Sequence, residues 1–277
     1  MSEKYDGHVH SPFCPHGTSD SLESYVEKAI KLGFTGLTFT EHAPLPANFI
    51  DPVPLNDSGM SHQQLDEYFN AVEKIKDSYH GKFEIKCGLE VDYIEGFEEE
   101  TRAFLDKVGS KLDDAILSVH FIHHNNQYTC LDYSPESFEE LVNALGSVEN
   151  VHKKYYETVY RSLTADLGDY KPKRLGHISL VNKFQKKFQL DISSSHLVTT
   201  ILDEVKKQGL SLDYNGAGTV KPLCKEPYPP SWVIEEAESR KIPLIYGSDA
   251  HSSKGIGQGF DQLSSTLLSS PLPLSRS

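Results

Sequence analysis

Hydrophobic and polar positions along the chain follow two periods in turn, one typical of strands and one typical of helices. Short runs rich in β-branched and aromatic residues predict strands, and apolar residues three or four positions apart predict helices. The predicted strands cover residues 5–10, 34–40, 83–91, 114–119, 174–177, 210–214 and 242–246. After a first helix that follows the first strand, the predicted helices cover about 61–79, 97–108, 135–164, 194–208 and 231–240.

The first helix carries signals at both of its ends. The segment Asp20-Ser21-Leu22-Glu23 is typical of a capping box, which binds the free backbone N–H groups at a helix start. Gly33 is placed to end the same helix, because glycine readily adopts the left-handed conformation found at helix C-termini.

The order of these elements predicts the fold class. Strands that alternate with helices form a parallel sheet with right-handed connections. Seven such units without an obvious domain break predict one α/β domain over residues 1–277, a distorted TIM-like (β/α)7 barrel. The tail after about residue 261 is rich in Ser, Leu and Pro, and we expect it to be weakly structured.

Composition narrows the class of protein. With 38% hydrophobic and 24% charged residues among 277, the chain is typical of a globular protein. It has no apolar run of about 18 residues and no signal-peptide pattern at its start, so we expect a cytoplasmic protein that does not bind a membrane. The four cysteines form no CxxC pair, which favours buried free thiols over disulfides or a thiolate zinc site: Cys14, Cys87, Cys130 and Cys224.

The net charge of -13 bears on the kind of partner. A strongly acidic protein repels polyanions, so we expect no nucleic-acid partner. A small phosphorylated metabolite remains compatible with this charge, because bound metal ions reverse the sign of the field inside a pocket. The oligomeric state is left open.

Several of the thirteen histidines lie where predicted strands end. The carboxyl ends of parallel barrel strands converge on one face, where active sites of this architecture lie. A single His-x-His pair is more often structural than a metal site, but the joint placement of these residues favours metal binding. The residues at the strand ends are His8, His10, His42, Glu90, His120, His177, Asp249 and His251.

The spacing within this set indicates how metals would be held. His8 and His10 point to the same side of a strand, and Asp249 and His251 repeat that spacing with one carboxylate. Mixed nitrogen and oxygen donors suit zinc, manganese or iron, and a carboxylate such as Glu90 can bridge two ions. Two ions about 3.5–4 Å apart are the usual arrangement for displacement at phosphorus.

Six motifs give the chain a family resemblance. Asp6-Gly7-His8-Val9-His10-Ser11, followed by Phe13-Cys14-Pro15-His16-Gly17, resembles the first motif of the PHP (polymerase and histidinol phosphatase) superfamily. Thr40-Glu41-His42, Gly88-Leu89-Glu90, Ser118-Val119-His120, Gly176-His177 and Gly247-Ser248-Asp249-Ala250-His251 match its later motifs in order. Within the superfamily the Phe-Cys-Pro-His-Gly segment and Asn215-Gly216-Ala217-Gly218 are similar to the monofunctional histidinol-phosphatases.

This resemblance implies a trinuclear metal centre and a reaction. One metal would bind His8, His10, Glu90 and Asp249, and Glu90 would bridge to a second that also binds His120 and His177. The third would bind His16, His42 and His251. The implied reaction is hydrolysis of L-histidinol phosphate to L-histidinol and phosphate in histidine biosynthesis.

The corresponding mechanism is a hypothesis. Metals bridged by Glu90 would activate a water to attack phosphorus, and Asp249 or His251 would pass a proton to the leaving alkoxide. Candidate cations for the phosphate are Arg161, Lys183 and Lys221, although each also fits an ordinary surface residue. The alternatives are a nuclease or phosphodiesterase of the same superfamily and a non-catalytic regulatory module that binds metal.

Overall fold

The computed structural model describes residues 4–190, 195–263, 268–272 and 274. Its strands are β1 (Tyr5–Val9), β2 (Gly36–His42), β3 (Glu84–Asp92), β4 (Asp114–Ser118), β5 (Phe121–His124), β6 (Gln127–Cys130), β7 (Arg174–Leu175), β8 (Ser211–Asn215) and β9 (Leu244–Gly247). Its helices are α1 (Leu22–Lys31), α2 (Leu65–Tyr79), α3 (Glu98–Val108), α4 (Pro135–Leu145), α5 (Val148–Thr164), α6 (Ser195–Gln208), α7 (Ala217–Val220) and α8 (Ser231–Ser239).

Seven strands form one parallel sheet in the order β1-β2-β3-β4-β7-β8-β9. The sheet nearly closes, because Val9 pairs with Ala250 just beyond β9 and the His10 N–H donates to the Ala250 carbonyl at 3.1 Å. All residues of β1, β2, β4 and β8 are buried, as expected for strands covered on both faces. The prediction of a distorted seven-stranded α/β barrel is confirmed.

A buried arginine occupies the inside of this barrel. Arg174, only 2% exposed, donates from Nη2 to the Gly7 carbonyl at 2.7 Å and forms an ion pair with Asp114. A Cβ at position 7 would lie 2.4 Å from Arg174 Nη1, so only glycine leaves room for the guanidinium. The pair therefore ties β7 to β4 and to β1 directly below His8.

The first helix begins at Leu22, two residues after Asp20. The Ser21 side chain caps α1 by accepting from the Ser24 N–H. Asp20 instead accepts from the N–H of Ser253 at 2.9 Å and from its hydroxyl at 2.7 Å, which ties the start of α1 to the loop after β9. Gly33, with φ +79°, follows the end of the helix as expected.

The predicted helix over 135–164 is wrong, because two helices occupy this range. Gly146, with φ +89°, ends α4 in the left-handed conformation that glycine favours. Ser147 then starts α5 by accepting from the Asn150 N–H. A Gly-Ser pair inside a helical pattern was the signal for this break.

An antiparallel hairpin, β5 and β6, follows β4 where the sequence analysis gave no strands. Asn125 and Asn126 both have positive φ, 48° and 59°, which suits a tight two-residue turn. The hairpin packs against the loop after β2, where the Phe49 ring lies 4.9 Å from that of Phe121 and 5.0 Å from that of Tyr128. This cluster is separate from the main core, and its Phe121 lines the cavity described below.

The predicted tail is only partly described. Residues 264–267, 273 and 275–277 lie outside the described residues, as does residue 194 of the helix predicted over 194–208. Leu268 pairs with Leu244, and the Ser269 N–H donates to the Leu244 carbonyl at 2.8 Å. Weak structure in this tail stays a prediction. Within the described ranges no helix is long and apolar enough to cross a membrane.

Candidate metal centre

The nine residues predicted to bind metal come together at the carboxyl-terminal end of the barrel. Seven of them line a cavity of about 490 Å³: His16, His42, Glu90, His120, His177, Asp249 and His251. The other two, His8 and His10, are completely buried and contact Glu90 and Asp249. Metal binding by these residues stays a prediction at this point, but their convergence is a property of the fold.

Glu90 lies at the centre of the group, and its two oxygens face different histidines. Oε2 lies 3.3 Å from His8 Nε2 and 3.1 Å from His42 Nδ1. Oε1 lies 2.9 Å from His177 Nε2 and 3.8 Å from His120 Nε2. Burial raises the pKa of Glu90, but His8 and His42 outweigh this and hold it well below its usual value. This is the geometry of a carboxylate that can bridge two cations.

Asp249 adds a second carboxylate from an unusual backbone conformation. Its Oδ1 lies 3.1 Å from His10 Nε2 and 3.7 Å from His8 Nε2. Its φ of +54° lies in the left-handed region, and its N–H donates to the His8 carbonyl at 2.7 Å. Strained conformations of this kind persist at sites where the surrounding structure enforces them.

Three further carboxylates orient the histidines. Asp213 Oδ2 lies 2.8 Å from Nδ1 of His8, Glu41 Oε1 lies 3.1 Å from Nδ1 of His10, and Asp92 Oδ1 lies 2.7 Å from Nδ1 of His120. Each contact uses Nδ1 and leaves Nε2 of the same ring facing the centre of the group. Outer carboxylates fix the ligands of many metal sites in this way.

The sequence analysis missed these orienting roles. A signal for them was available, because an acidic residue within a buried strand needs a partner. Asp213 lies within predicted strand 210–214, Glu41 directly follows strand 34–40, and Asp92 directly follows strand 83–91.

The electrostatics of the group favour a cation. Burial lowers the pKa of His120, but Asp92 outweighs it and raises that pKa to about 10. Burial also lowers the pKa of His10, while Asp249 and Glu41 raise it to about 9. Carboxylates that favour a proton on these rings also favour a metal ion in its place.

Two other rings are kept neutral. Burial, together with the neighbouring His10, holds the pKa values of both His42 and His251 well below the usual value. Neutral imidazole is the form that binds metals.

The donor atoms fall into three groups that fit metal ions. Within each group the atoms lie within 4.8 Å of one another: His8, His10 and Asp249; Glu90, His120 and His177; and His10, Cys14, His42 and His251. With metal–ligand bonds of about 2.0–2.2 Å, ligands around one four-coordinate ion stand about 3.3–3.6 Å apart. The donor separations given above are close to this spacing, and the mixture of imidazole and carboxylate suits divalent transition metals.

The third group shares His42 and His251 with the expected one, but it also contains His10 and it lacks His16. Cys14 takes part where the resemblance implied His16. The His16 ring is nevertheless adjacent, with its centroid 4.9 Å from that of His251 and 5.1 Å from that of His42. Its Nδ1 pairs with the Asp57 carbonyl at 2.7 Å.

Of the three candidate phosphate cations, the structure brings two to the cavity. Lys183 and Lys221 are among its lining residues, and Lys183 Nζ lies 2.8 Å from Asp132 Oδ2. Arg161 is absent from the described lining, because its half-exposed guanidinium turns to Glu95 and pairs with it. The expectation that Arg161 contacts phosphate stays a prediction, and this pairing with Glu95 does not support it.

The remaining walls of the cavity are partly apolar. Val53, Phe121, Leu180 and Tyr228 line it away from the metal-binding residues. A site with a strongly polar base and apolar sides suits a small phosphate ester with an organic group.

Comparisons with known proteins agree with this fold and site. The PHP domain family model matches residues 6–217. A histidinol-phosphatase from Bacillus subtilis is 47% identical over 261 residues, which cover 94% of this chain and 97% of the relative. A solved structure from Listeria monocytogenes, described as a candidate histidinol phosphatase, is 40% identical with a TM-score of 0.90, covering 94% of this chain and all of that one.

A more distant structure shows the same fold. It is a histidinol phosphate phosphatase from Lactococcus lactis in complex with zinc, L-histidinol and phosphate, with 19% identity and a TM-score of 0.70. The match covers 91% of this chain and 88% of that one.

Fold and site together define a metal-dependent phosphatase built on an α/β barrel. The chain belongs to the PHP domain family and, within it, to the histidinol-phosphatases.

Proposed function

We propose that this protein hydrolyses L-histidinol phosphate to L-histidinol and inorganic phosphate. The observation that carries the proposal is Glu90, whose two oxygens face separate groups of histidines in a chain 47% identical to a histidinol-phosphatase. A carboxylate in this position can hold two metal ions close enough to act on one phosphate. A cytoplasmic location and the absence of a nucleic-acid partner stay predictions.

The proposed centre contains three divalent ions. His8, His10, Glu90 and Asp249 would hold the first, Glu90, His120 and His177 the second, and the group around His42 and His251, with His16 beside it, the third. Zinc, manganese and iron all suit these donors. When bound, the ions supply an activated water and positive charge for the phosphoryl oxygens.

The protein's own residues hold this arrangement in place before substrate arrives. Asp213, Glu41 and Asp92 fix three of the imidazoles through their Nδ1 atoms. Asp249 and His251 both border the cavity, so either is placed to relay a proton to the leaving alkoxide. Preorganised groups of this kind need no rearrangement during the reaction.

Lys183 is the first candidate to bind the phosphate from the protein side. Burial lowers its pKa, but the Asp132 carboxylate outweighs this and raises it, so the ammonium stays charged on the cavity wall. Lys221 is an exposed residue on the same wall and offers a second, more strongly solvated cation.

The proposal is tested with metal-stripped protein reloaded separately with zinc, manganese or iron. Phosphate release is measured from L-histidinol phosphate, from p-nitrophenyl phosphate and from a short oligonucleotide. We expect chelator-sensitive turnover that strongly prefers L-histidinol phosphate. The Glu90→Ala variant should be inactive, whereas Glu84→Ala, at the opposite end of the same strand, should retain activity.

Two other results would each replace the proposal. Preferential cleavage of the oligonucleotide, weakening as salt rises, would indicate a nuclease. No phosphate release from any of the three substrates, with metal still bound to the protein, would indicate a regulatory module.

A further inference from the structure

A second cavity, which we call the outer cavity, is lined by residues of α5, α6 and α8 and by two loops. Its volume is about 920 Å³, and within the described chain no strand residue lines it. It also shares no described lining residue with the cavity of the metal centre. The outer cavity is therefore a separate feature that the proposed hydrolysis does not use.

Two polar side chains of the outer cavity are buried without a hydrogen-bond partner. His152 and Tyr156 stand one turn apart on α5, and only 3% and 4% of their surfaces are exposed. Neither side chain makes a hydrogen bond to any residue that the structure describes. Buried polar groups almost always have such a partner. Because both residues line the cavity, a bound molecule can supply it.

Both of these groups are neutral near pH 7. Burial lowers the pKa of His152 to about 4 and raises the pKa of Tyr156. A neutral imidazole and a phenol each offer a donor and an acceptor. They match an uncharged heteroaromatic ring better than an ion, because an ion buried beside them would lack a compensating charge.

Aromatic side chains on the same lining provide surfaces for such a ring. Phe188 is half-buried, and Trp232 leaves 42% of its surface exposed although it is a large apolar residue. Nucleobases stack on aromatic side chains of this kind.

The rim of the outer cavity carries positive charge. Lys186 and Lys225 are exposed, and neither forms an ion pair with a carboxylate of the described residues. Glu226 is the one acidic residue among the described lining. In a chain of net charge -13, two lysines without acidic partners on one rim favour an anionic group there.

Two chain segments separate the outer cavity from the cavity of the metal centre. In the first, Asn182 lines the outer cavity and the next residue, Lys183, lines the other one. In the second, Lys225 lines the outer cavity and Lys221 lines the other one. Both candidate phosphate lysines are therefore carried by the wall that the two cavities share.

Hydrogen bonds join the two segments of this wall. The Lys186 N–H donates to the Leu223 carbonyl at 3.0 Å, and Gln185 Nε2 donates to the Cys224 carbonyl at 3.1 Å. A displacement of one segment is therefore passed to the other.

We propose that the outer cavity binds a mononucleotide that regulates the enzyme. The base stacks on Trp232 and bonds to His152 and Tyr156, and the phosphate binds Lys186 and Lys225. A volume of about 920 Å³ lies within the range of about 300–1,000 Å³ typical of small-molecule sites. Binding is independent of the proposed function, whereas the regulatory effect rests on it.

Adenosine monophosphate is the probe, and Trp232 is a built-in reporter because it is the single tryptophan of the chain. Metal-loaded protein is titrated while calorimetry measures the affinity and tryptophan fluorescence reports on the outer cavity. We expect saturable binding of one nucleotide with a change in fluorescence. Adenosine lacks the anion and inorganic phosphate lacks the ring, so each should bind about tenfold or more weakly. Absence of saturable binding, or equal affinity for inorganic phosphate, would overturn the proposal.

Two variants locate the bound nucleotide. Lys186→Ala should weaken binding about 10- to 100-fold, the effect of a lost charged hydrogen bond, and Lys187→Ala is the matched control because Lys187 pairs with Glu139 instead. His152→Leu should weaken binding without lowering the melting temperature, since no hydrogen bond within the described chain is lost. Wild-type affinity in Lys186→Ala would overturn the proposal, and this exposed position gives an answer even where His152→Leu fails to fold.

The regulatory effect is measured separately from binding. At saturating nucleotide the KM for L-histidinol phosphate should change at least about fivefold in the wild type and much less in Lys186→Ala. Binding with an unchanged KM would overturn the regulatory role and leave the site. Binding by a protein that releases no phosphate would overturn the proposed function and leave the nucleotide site standing.

Discussion

Asp213 Oδ2 lies 2.8 Å from His8 Nδ1, and both side chains are completely buried. The two residues are 205 positions apart in the chain and are brought together by β8 and β1 of the barrel. The contact fixes the ring so that its Nε2 faces Glu90, at 3.3 Å from Oε2. A histidine oriented in this way binds metal more tightly than a free one.

We expect Asp213→Asn to weaken metal binding about 10- to 100-fold, because the amide no longer supports the charge on the imidazole. Competition with a chelator measures the dissociation constant. Asp203→Asn is the control, since Asp203 is 64% exposed and pairs with Arg240 on the outer helices. Equal metal affinities for the Asp213 variant and the wild type would show that the contact is structural only.

Lys183 and Arg161 make a matched test of the phosphate site. Lys183→Met removes a cation on the cavity wall, and a lost charged hydrogen bond of about 1.5–3 kcal/mol corresponds to a rise in KM of about 10- to 100-fold. Arg161→Met should leave KM unchanged, because this residue pairs with Glu95 away from the cavity. Steady-state kinetics with L-histidinol phosphate measure both, and the reverse order of effects would restore Arg161 as the phosphate contact.

Breaking the buried ion pair of Arg174 and Asp114 should lower the free energy of unfolding more than breaking an exposed ion pair. Arg174→Met leaves the Asp114 carboxylate buried without its partner, which costs about 3–5 kcal/mol. Arg102→Met should cost less than about 1 kcal/mol, because its pair with Asp166 is largely exposed. Thermal unfolding of the metal-free protein compares the two, and similar melting temperatures would contradict the assignment.

Asp6 gives a pH-dependent test. Burial raises its pKa to about 6, so the folded chain binds this proton more tightly than the unfolded chain does. The resulting stabilisation is fully present below about pH 4 and is lost as the pH rises through 6. At about 1.4 kcal/mol per pKa unit, the loss amounts to a few kcal/mol.

The Asp6→Asn variant removes this titration and keeps an oxygen that can accept from the Ser248 N–H. Its stability relative to the wild type should therefore improve between pH 4 and pH 7. Unfolding curves measured across this range on metal-free protein provide the comparison. A difference in stability that does not change with pH would show that the carboxyl group titrates normally.

The strand ends and the residues on them could be predicted from the sequence, because parallel strands converge at one face whatever their lengths. This convergence predicts that His8, Glu90, His177 and Asp249 lie together. The family resemblance then supplied the order in which they bind metals. The shortening of the fifth strand to Arg174–Leu175 did not matter, since His177 still follows its end.

Contacts between side chains of distant elements could not be predicted in the same way. Arg161 lies in the last turn of α5, and only the folded chain shows that Glu95 binds it. Cys14 was judged by the absence of a CxxC pair, whereas its potential partners are histidines of three other segments. Pairings of this kind depend on the tertiary structure, which local pattern does not encode.

The most direct test of the account is kcat/KM for L-histidinol phosphate in metal-loaded wild type and Glu90→Gln protein, with Glu84→Gln as the control. Glutamine has nearly the same shape but cannot bridge two ions as a carboxylate does. Metal ions contribute several kcal/mol, at about 1.4 kcal/mol per tenfold in rate, so kcat/KM should fall at least about a thousandfold. Wild-type activity in the Glu90→Gln protein would contradict a mechanism centred on this carboxylate.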